Sequence, residues 1–132
     1  MGAVPMDMCL DKSQKKRGVR HFLAAFGYSM CGLRAALKET AIRHELAMGV
    51  IHIVAMVALH LPFSAKLLLS CLYGIVLIVE LLNTAIEAVA DLASPSRNEL
   101  AKKAKDLGSA AVFCALVVFF ASWVLVVMLM VM

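Results

Sequence analysis

The last 23 residues, 110–132 (AAVFCALVVFFASWVLVVMLMVM), carry no charge and are almost wholly apolar. At about 1.5 Å per residue they are long enough to cross a hydrocarbon layer of roughly 30 Å, so they predict a transmembrane helix. A second apolar run, 66–91 (KLLLSCLYGIVLIVELLNTAIEAVAD), has the same reach but holds Glu80, Asn83 and Glu87 inside it. A third, 46–63, is shorter and contains His52 and His60. It predicts the first span, with Pro62 and Ser64 turning the chain into the second.

Ahead of the spans the pattern changes. Between Arg20 and Lys38 the large apolar residues Phe22, Phe26, Met30, Leu33 and Leu37 are spaced by four, four, three and four, which is one face of an α-helix. Ser29, Arg34, Lys38 and small residues fill the other positions. The stretch 20–43 therefore predicts an amphipathic helix lying in the headgroup plane, the alternative being a helix packed on a soluble partner. Residues 1–18 show no period and are expected to be disordered, which leaves 19–132 as a single domain. The predicted fold is an all-α membrane protein with three spans and one surface helix.

Composition supports lipid as part of the solvent. Of the 132 residues, 63% are hydrophobic and 17% charged, against about 45–50% and about 25% in soluble domains. A chain this short cannot hide that much apolar surface in a water-soluble core. The net charge of +4 comes from 13 Lys and Arg against 9 Asp and Glu. Eight basic residues precede the first span, four lie between the second and third, and only Lys66 lies in the first turn. This asymmetry predicts a multi-pass topology with the N-terminus and the 92–109 loop in the cytoplasm and the C-terminus outside. The four cysteines, Cys9, Cys31, Cys71 and Cys114, form no CxxC or Cys/His ligand pattern. No cleanly apolar run with a small-residue cleavage site follows Lys15, Lys16 and Arg17, so no signal peptide is expected. No soluble-kinase or dinucleotide motif is present, and nothing points to nucleic acid.

The chemistry lies in the second span. At 100° per residue, Glu87 and Asp91 fall about 20° to either side of Glu80 and Asn83 about 60° from it, so the four make one polar stripe. Glu87 sits about 10 Å along the helix from Glu80, toward the cytoplasm. An ionisable group within a span costs roughly 2.5–3.5 kcal/mol on insertion scales, and two glutamates in one helix call for a reason. A stripe running from the aqueous surface into the bilayer suits a reaction between a soluble reagent and a lipid headgroup. Glu87 is placed to hold a hard cation such as Mg²⁺. Glu80, partly desolvated, is placed to act as general base toward a hydroxyl. The structural alternative is that both glutamates are interhelical packing glue.

Two further groups lie at the surface. Glu39 and Arg43, spaced i, i+4, with Glu45 beyond them, mark the hinge into the first span, either as site residues or as an exposed ion pair. Lys105 and Asp106 adjoin Gly108 and Ser109 where the third span begins, either as a phosphate-contacting lysine and its neighbour or as a positive-inside anchor. His52, His60 and the nine methionines read as packing or interface residues, and Trp123 as a contact to a neighbouring helix.

VELLNTAIEAVADL (79–92) followed by ELAKKAKDLGSAAV (99–112) closely resembles the signature of the prokaryotic diacylglycerol kinase family. GYSMCGLRAA (27–36) and ETAIRHE (39–45) resemble that family's surface helix and hinge. The resemblance implies a homotrimer of three-span subunits that transfers the γ-phosphate of MgATP to the primary hydroxyl of a lipid, at sites shared between subunits. It implies Glu80 as catalytic base and Asn83 as the residue orienting it, with Glu39 and Glu87 as carboxylates for Mg²⁺. Arg20, Tyr28, Glu39, Glu87, Lys105 and Asp106 would contact ATP, and Arg34, Glu80 and Ser109 would line the lipid site. The chain departs from the family in having one residue fewer between GLRAA and the hinge glutamate, so Arg20 matches the family's nucleotide-contacting arginine only with an insertion near Phe26, and His21 takes its place otherwise. Ser94, Pro95 and Ser96 also replace more usual loop residues. The acceptor implied is diacylglycerol, with a polyprenol as the rival within the family and a carboxylate-based ion or proton transporter as the rival outside it.

Overall fold

A computed structural model describes residues 19–94 and 98–132. Four helices form in chain order: α1 (Val19–Ala36), α2 (Thr40–Ala58), α3 (Phe63–Ala93) and α4 (Glu99–Val131). Among the described residues there is no strand, so the expected all-α class holds. The three helices α2, α3 and α4 are each long and apolar enough to cross a membrane. The expectation for residues 1–18 lies outside the described residues, as do residues 95–97 and the side chain of Arg20.

The chain divides into two compact units, one ending at Thr40 and the other running from Ala41 to Met132. In the first unit, α1 is shorter than the predicted 20–43 helix. It stops at Ala36, where Lys38 N–H donates to the Ala35 carbonyl at 3.0 Å and Glu39 N–H to that of Ala36 at 2.9 Å. Such i to i−3 bonds tighten the last turn and satisfy helix-end carbonyls. Leu37, Lys38 and Glu39 are all good helix formers, so propensity gives no sign of this break. Phe22, Leu23, Phe26 and Leu33 are exposed along α1, and Arg34 in its last turn complements the helix dipole.

In the second unit each helix turns a face with three-and-four spacing inward. On α2 that face is Ile42, Glu45, Gly49, His52 and Met56; on α3 it is Ala65, Leu69, Tyr73, Val76, Glu80, Asn83 and Ala90; on α4 it is Gly108, Phe119, Trp123 and Val126, all buried or half-buried. The spacing is that of helices packed with a shallow crossing, ridges of one in grooves of the next. The opposite faces, including Val50, Ile51 and Val54 on α2, Ile75, Ile78 and Leu82 on α3, and Val117, Val124 and Leu125 on α4, are exposed and apolar. That exterior is matched to hydrocarbon, where helices satisfy their own backbone groups.

The first spanning helix begins at Thr40, taking in residues 40–43 that were expected in the surface helix, and two further boundaries differ from the hydropathy reading. The first span ends at Ala58, not at 63, because the chain closes α2 with a left-handed residue. His60 has φ of 50°, its N–H donates to Val57 O at 3.1 Å, and Leu61 N–H reaches Met56 O at 3.4 Å. This pair of bonds is the Schellman pattern, and its customary apolar contact is present in the cluster of Met56, Leu61, Ala65 and Leu69. The turn is thus 59–62, with Pro62 preceding the first residue of α3 and Ser64 already helical. Second, the 92–109 loop is mostly helix, since α4 begins at Glu99. Asn98 caps it, its side-chain oxygen accepting from Leu100 N at 2.8 Å and Ala101 N at 3.4 Å. At 33 residues, α4 is about 50 Å long and outruns a bilayer core by several turns. Apolarity marks only the part that lipid surrounds.

Candidate active site

The polar stripe of α3 continues the inward seam of the same helix, so the residues that would be core a few turns earlier become carboxylates and an amide. Its exposure is graded. Glu80 is 5% and Asn83 8% exposed, whereas Glu87 and Asp91 are open. The Asn83 amide Nδ2 donates to Glu87 Oε1 at 3.3 Å. The resemblance implied that Asn83 orients Glu80; its hydrogen bond goes to Glu87 instead. One turn further along α3, Thr84 Oγ1 donates to the Glu80 backbone carbonyl at 3.0 Å.

Helix α4 lies against this stripe at a glycine. A Cβ at position 108 would overlap Asn83 Oδ1, so the glycine leaves room for the Asn83 side chain in the orientation that reaches Glu87. Asn83 Oδ1 is itself buried and has no hydrogen-bond partner, an arrangement that costs about 1–3 kcal/mol unless something supplies a donor. One residue on, Ser109 is exposed. Toward the N-terminal end of α4, Lys105 Nζ donates to Asp91 Oδ1 across the helix pair, closing the open end of the stripe with a cation. Asp106 pairs with Lys102 on its own helix at 3.3 Å.

Two residues enter the site that the pattern of α3 alone does not indicate. Gly108 is one. The other is Glu45, read from sequence as part of the hinge, which lies on the inward seam of α2 between Ile42 and Gly49. Glu45 on α2 and Glu80 and Glu87 on α3 all lie in the half of the bundle away from the 59–62 turn, so three carboxylates share this region. One Glu45 oxygen, Oε2, is buried and unpartnered. Glu45's place in the three-and-four register of α2 was the available signal. The residues of the first unit that the resemblance assigns to the site, Tyr28 and Arg34 on α1 and Glu39 in the turn after it, are all exposed.

The carboxylates do not make a preformed metal cage. Among the described residues no group of three or more His, Cys, Asp or Glu side chains assembles as one. The donor chemistry nonetheless fits Mg²⁺, which keeps several waters and takes one or two carboxylates together with substrate phosphates. Glu87, open to water and bonded by Asn83, has the exposure that such a ligand needs.

The sequence model of the family described as prokaryotic diacylglycerol kinase matches residues 27–127, a stretch that contains every part of the α3–α4 site. The chain belongs to this family. Among its relatives are the diacylglycerol kinases of Pseudomonas aeruginosa, 41% identical over 107 residues that make up 80% of this chain and 87% of the relative, and of Escherichia coli strain K12, 40% identical over 107 residues, 80% and 88% of the two. The diacylglycerol kinase of a Sinorhizobium species is 36% identical over 104 residues, 79% and 76% of the two. Membership places the chain among transferases of lipid metabolism, kinases that draw on ATP. The two signature stretches, 79–92 and 99–112, supply the facing surfaces of α3 and α4, while Arg20 precedes the matched region.

Proposed function

We propose that the protein transfers the γ-phosphate of MgATP to the primary hydroxyl of diacylglycerol, giving phosphatidic acid and ADP, at the cytoplasmic face of the bacterial inner membrane. The observation that carries this reading is a buried glutamate, Glu80, on one stripe with Asn83, Glu87 and the Asp91–Lys105 pair, in a chain of the diacylglycerol kinase family. The stripe spans the two phases the reaction must join. A lipid hydroxyl comes from the bilayer to Glu80, and a nucleotide comes from water to the exposed end.

In this mechanism the Glu80 carboxylate removes the hydroxyl proton as the lipid oxygen attacks the γ-phosphorus and the bond to the ADP oxygen breaks. Phosphoryl transfer involves little covalent work by the protein, so positioning and charge stabilisation dominate. Lys105, with Asp91 exchanged for nucleotide as partner, sets a cation against the phosphates, and Asp106 stands next to it. Glu87, and Glu39 from the hinge, would hold Mg²⁺, which would neutralise charge on the phosphate oxygens. Tyr28 and Arg20 would contact the nucleotide, and Arg34 and Ser109 the lipid. Asn83 keeps Glu87 in place, and its buried Oδ1 accepts from substrate.

We infer further that the working form is a homotrimer with sites shared between subunits. Support comes from the apolar faces of α2, α3 and α4 that the chain itself leaves uncovered, and from a catalytic stripe that one subunit walls on two sides only. The exposed Phe22, Leu23, Phe26 and Leu33 of α1 support its seat in the headgroup layer. The excess of basic residues at the N-terminus and between α3 and α4 supports an inside N-terminus.

The test is Mg²⁺-dependent ADP release by the protein purified in detergent micelles, with a short-chain diacylglycerol and then with a polyprenol. Turnover with the first is expected. Turnover with the polyprenol alone changes the acceptor and keeps the stripe; no turnover with either, in an intact oligomer, overturns the kinase reading.

A further inference from the structure

Tyr73 stands on the inward face of α3, seven residues and roughly 10 Å from Glu80 toward the N-terminal end of that helix. Its hydroxyl donates to the backbone carbonyl of Glu45 at 2.8 Å. That carbonyl belongs to α2, and a helical carbonyl has a second lone pair to offer. The contact depends on Gly49, one turn further along α2, because a Cβ there would overlap the hydroxyl and Cζ of Tyr73. The ring is held from two more sides. It stacks on His52 with centroids 5.3 Å apart and planes at 29°, and it lies 6.0 Å from the ring of Phe119 on α4.

A helical carbonyl points toward the C-terminus of its helix, whereas the side chain leans back toward the N-terminus. At Glu45 the two directions separate two partners. The carbonyl meets Tyr73, and the carboxylate, with Oε2 buried, leans the other way along α2, toward the end of the bundle where α3, returning through the 59–62 turn, carries Glu80. Grasping the one fixes the other.

We propose that Tyr73 is a positioning residue of the kinase site: by fixing the Glu45 carbonyl it sets where the Glu45 carboxylate stands beside the Glu80 base. The inference rests on the kinase reading above and adds to it a residue outside the signature stretches. Tyr73→Phe deletes the hydrogen bond while keeping the ring that His52 and Phe119 hold. With short-chain diacylglycerol in micelles, kcat of Tyr73→Phe should fall roughly 10-fold with KM for ATP and lipid within about 2-fold of wild type. Glu45→Gln should fall at least as far. In the double variant Tyr73→Phe should cost nothing beyond Glu45→Gln, because there is no longer a carboxylate to misplace.

A purely structural tyrosine would behave differently. It would lower the melting temperature in the same micelles, and its loss would multiply with that of Glu45→Gln. Wild-type kcat in Tyr73→Phe, or a full multiplicative loss in the double variant, overturns the proposal. If the wild type itself fails to turn over diacylglycerol, the kinase reading falls and takes this one with it, an outcome distinguishable from the other two.

Discussion

One seam runs the length of the α2–α4 bundle, and its two halves are built of opposite materials. In the half near the α2–α3 turn the inward positions are Leu69, Tyr73, His52, Phe119 and Trp123, with ring centroids 5.3–6.0 Å apart. Trp123 Nε1 donates to His52 Nδ1 at 3.1 Å, while the other ring nitrogen, His52 Nε2, is buried with no partner among the described residues. In the other half the same register brings in Glu45, Glu80, Asn83 and Glu87. There Glu45 Oε2 and Asn83 Oδ1 are buried without partners. The halves therefore differ in charge and not in whether every polar atom is paired: one imidazole nitrogen is left over at one end, a carboxylate oxygen and an amide oxygen at the other, and carboxylates within a span are the costlier arrangement.

The comparison breaks most sharply at Glu80. Glu80→Gln keeps the shape and the hydrogen-bonding capacity of the side chain and removes its ability to take a proton. We expect kcat to fall by roughly 10²–10⁴-fold, while the melting temperature and the oligomer seen by size-exclusion chromatography stay as in wild type. An active Glu80→Gln enzyme would remove the base from the mechanism and return the buried carboxylate to packing.

Gly108→Ala comes next. The added methyl meets Asn83 Oδ1, so either Asn83 turns away from Glu87 or α4 backs off the stripe. A displacement of about 1 Å at a positioning group can cost roughly 100-fold, and a loss of that order in kcat/KM is expected. The mechanism of the loss is testable in the same assay. Combined with Asn83→Ala, which removes the atom the methyl strikes, Gly108→Ala should cost nothing further. Equal losses in both backgrounds would mean that Gly108 serves helix packing in general and not Asn83.

How much of this was legible in the chain follows the same division. The spans were plain because apolar runs of sufficient length have few other uses, and the stripe was plain because Glu80, Asn83, Glu87 and Asp91 share one helix, where spacing alone fixes a face. Features that depend on a second helix were not. Gly108 carries no side chain, and its role appears only once Asn83 is across from it. Glu45 looked like a hinge residue because its partners, Tyr73 and Glu80, are 28 and 35 positions further along the chain. Helix ends were lost for a different reason. The first three turns of α4 are polar, so hydropathy ends the span near 110 while the hydrogen bonds run back to Glu99; at 37–39 the chain leaves the helix through residues that favour it.

The aromatic half should respond to mutation in its own way. Removing one partner of the His52–Trp123 bond strands the other in an apolar interior, so His52→Leu and Trp123→Phe should each destabilise the bundle by about 0.5–1.5 kcal/mol in denaturant titrations, the range of interhelical hydrogen bonds in membranes. The double variant strands neither and should recover most of that loss. Trp123 bonds to His52 and not to a carboxylate, so kcat of Trp123→Phe should change less than about 3-fold, whereas His52→Leu, which also removes the ring stacked on Tyr73, should lose at most what Tyr73→Phe loses. A double variant that folds as well as wild type but turns over 100-fold more slowly would join the two halves into one functional unit.

The smallest effect is expected at the far end of α4, where the chain stands clear of the seam altogether. Asn98 accepts from two backbone N–H groups of the first turn, and replacing such a cap with alanine costs about 1 kcal/mol. That energy is local. Fraying of residues 99–101 leaves the Lys102–Asp106 pair at its edge and Lys105, which is bonded to Asp91 across the helix pair, a full turn inside. Asn98→Ala should therefore speed amide exchange in the first turn of α4, measurable by hydrogen–deuterium exchange, while kcat and KM for ATP stay within about 2-fold. A marked rise in KM for ATP would show that the polar turns of α4 outside the bilayer need to be rigid for nucleotide binding, and would extend the site beyond the carboxylate half of the seam to the helix start that hydropathy conceals.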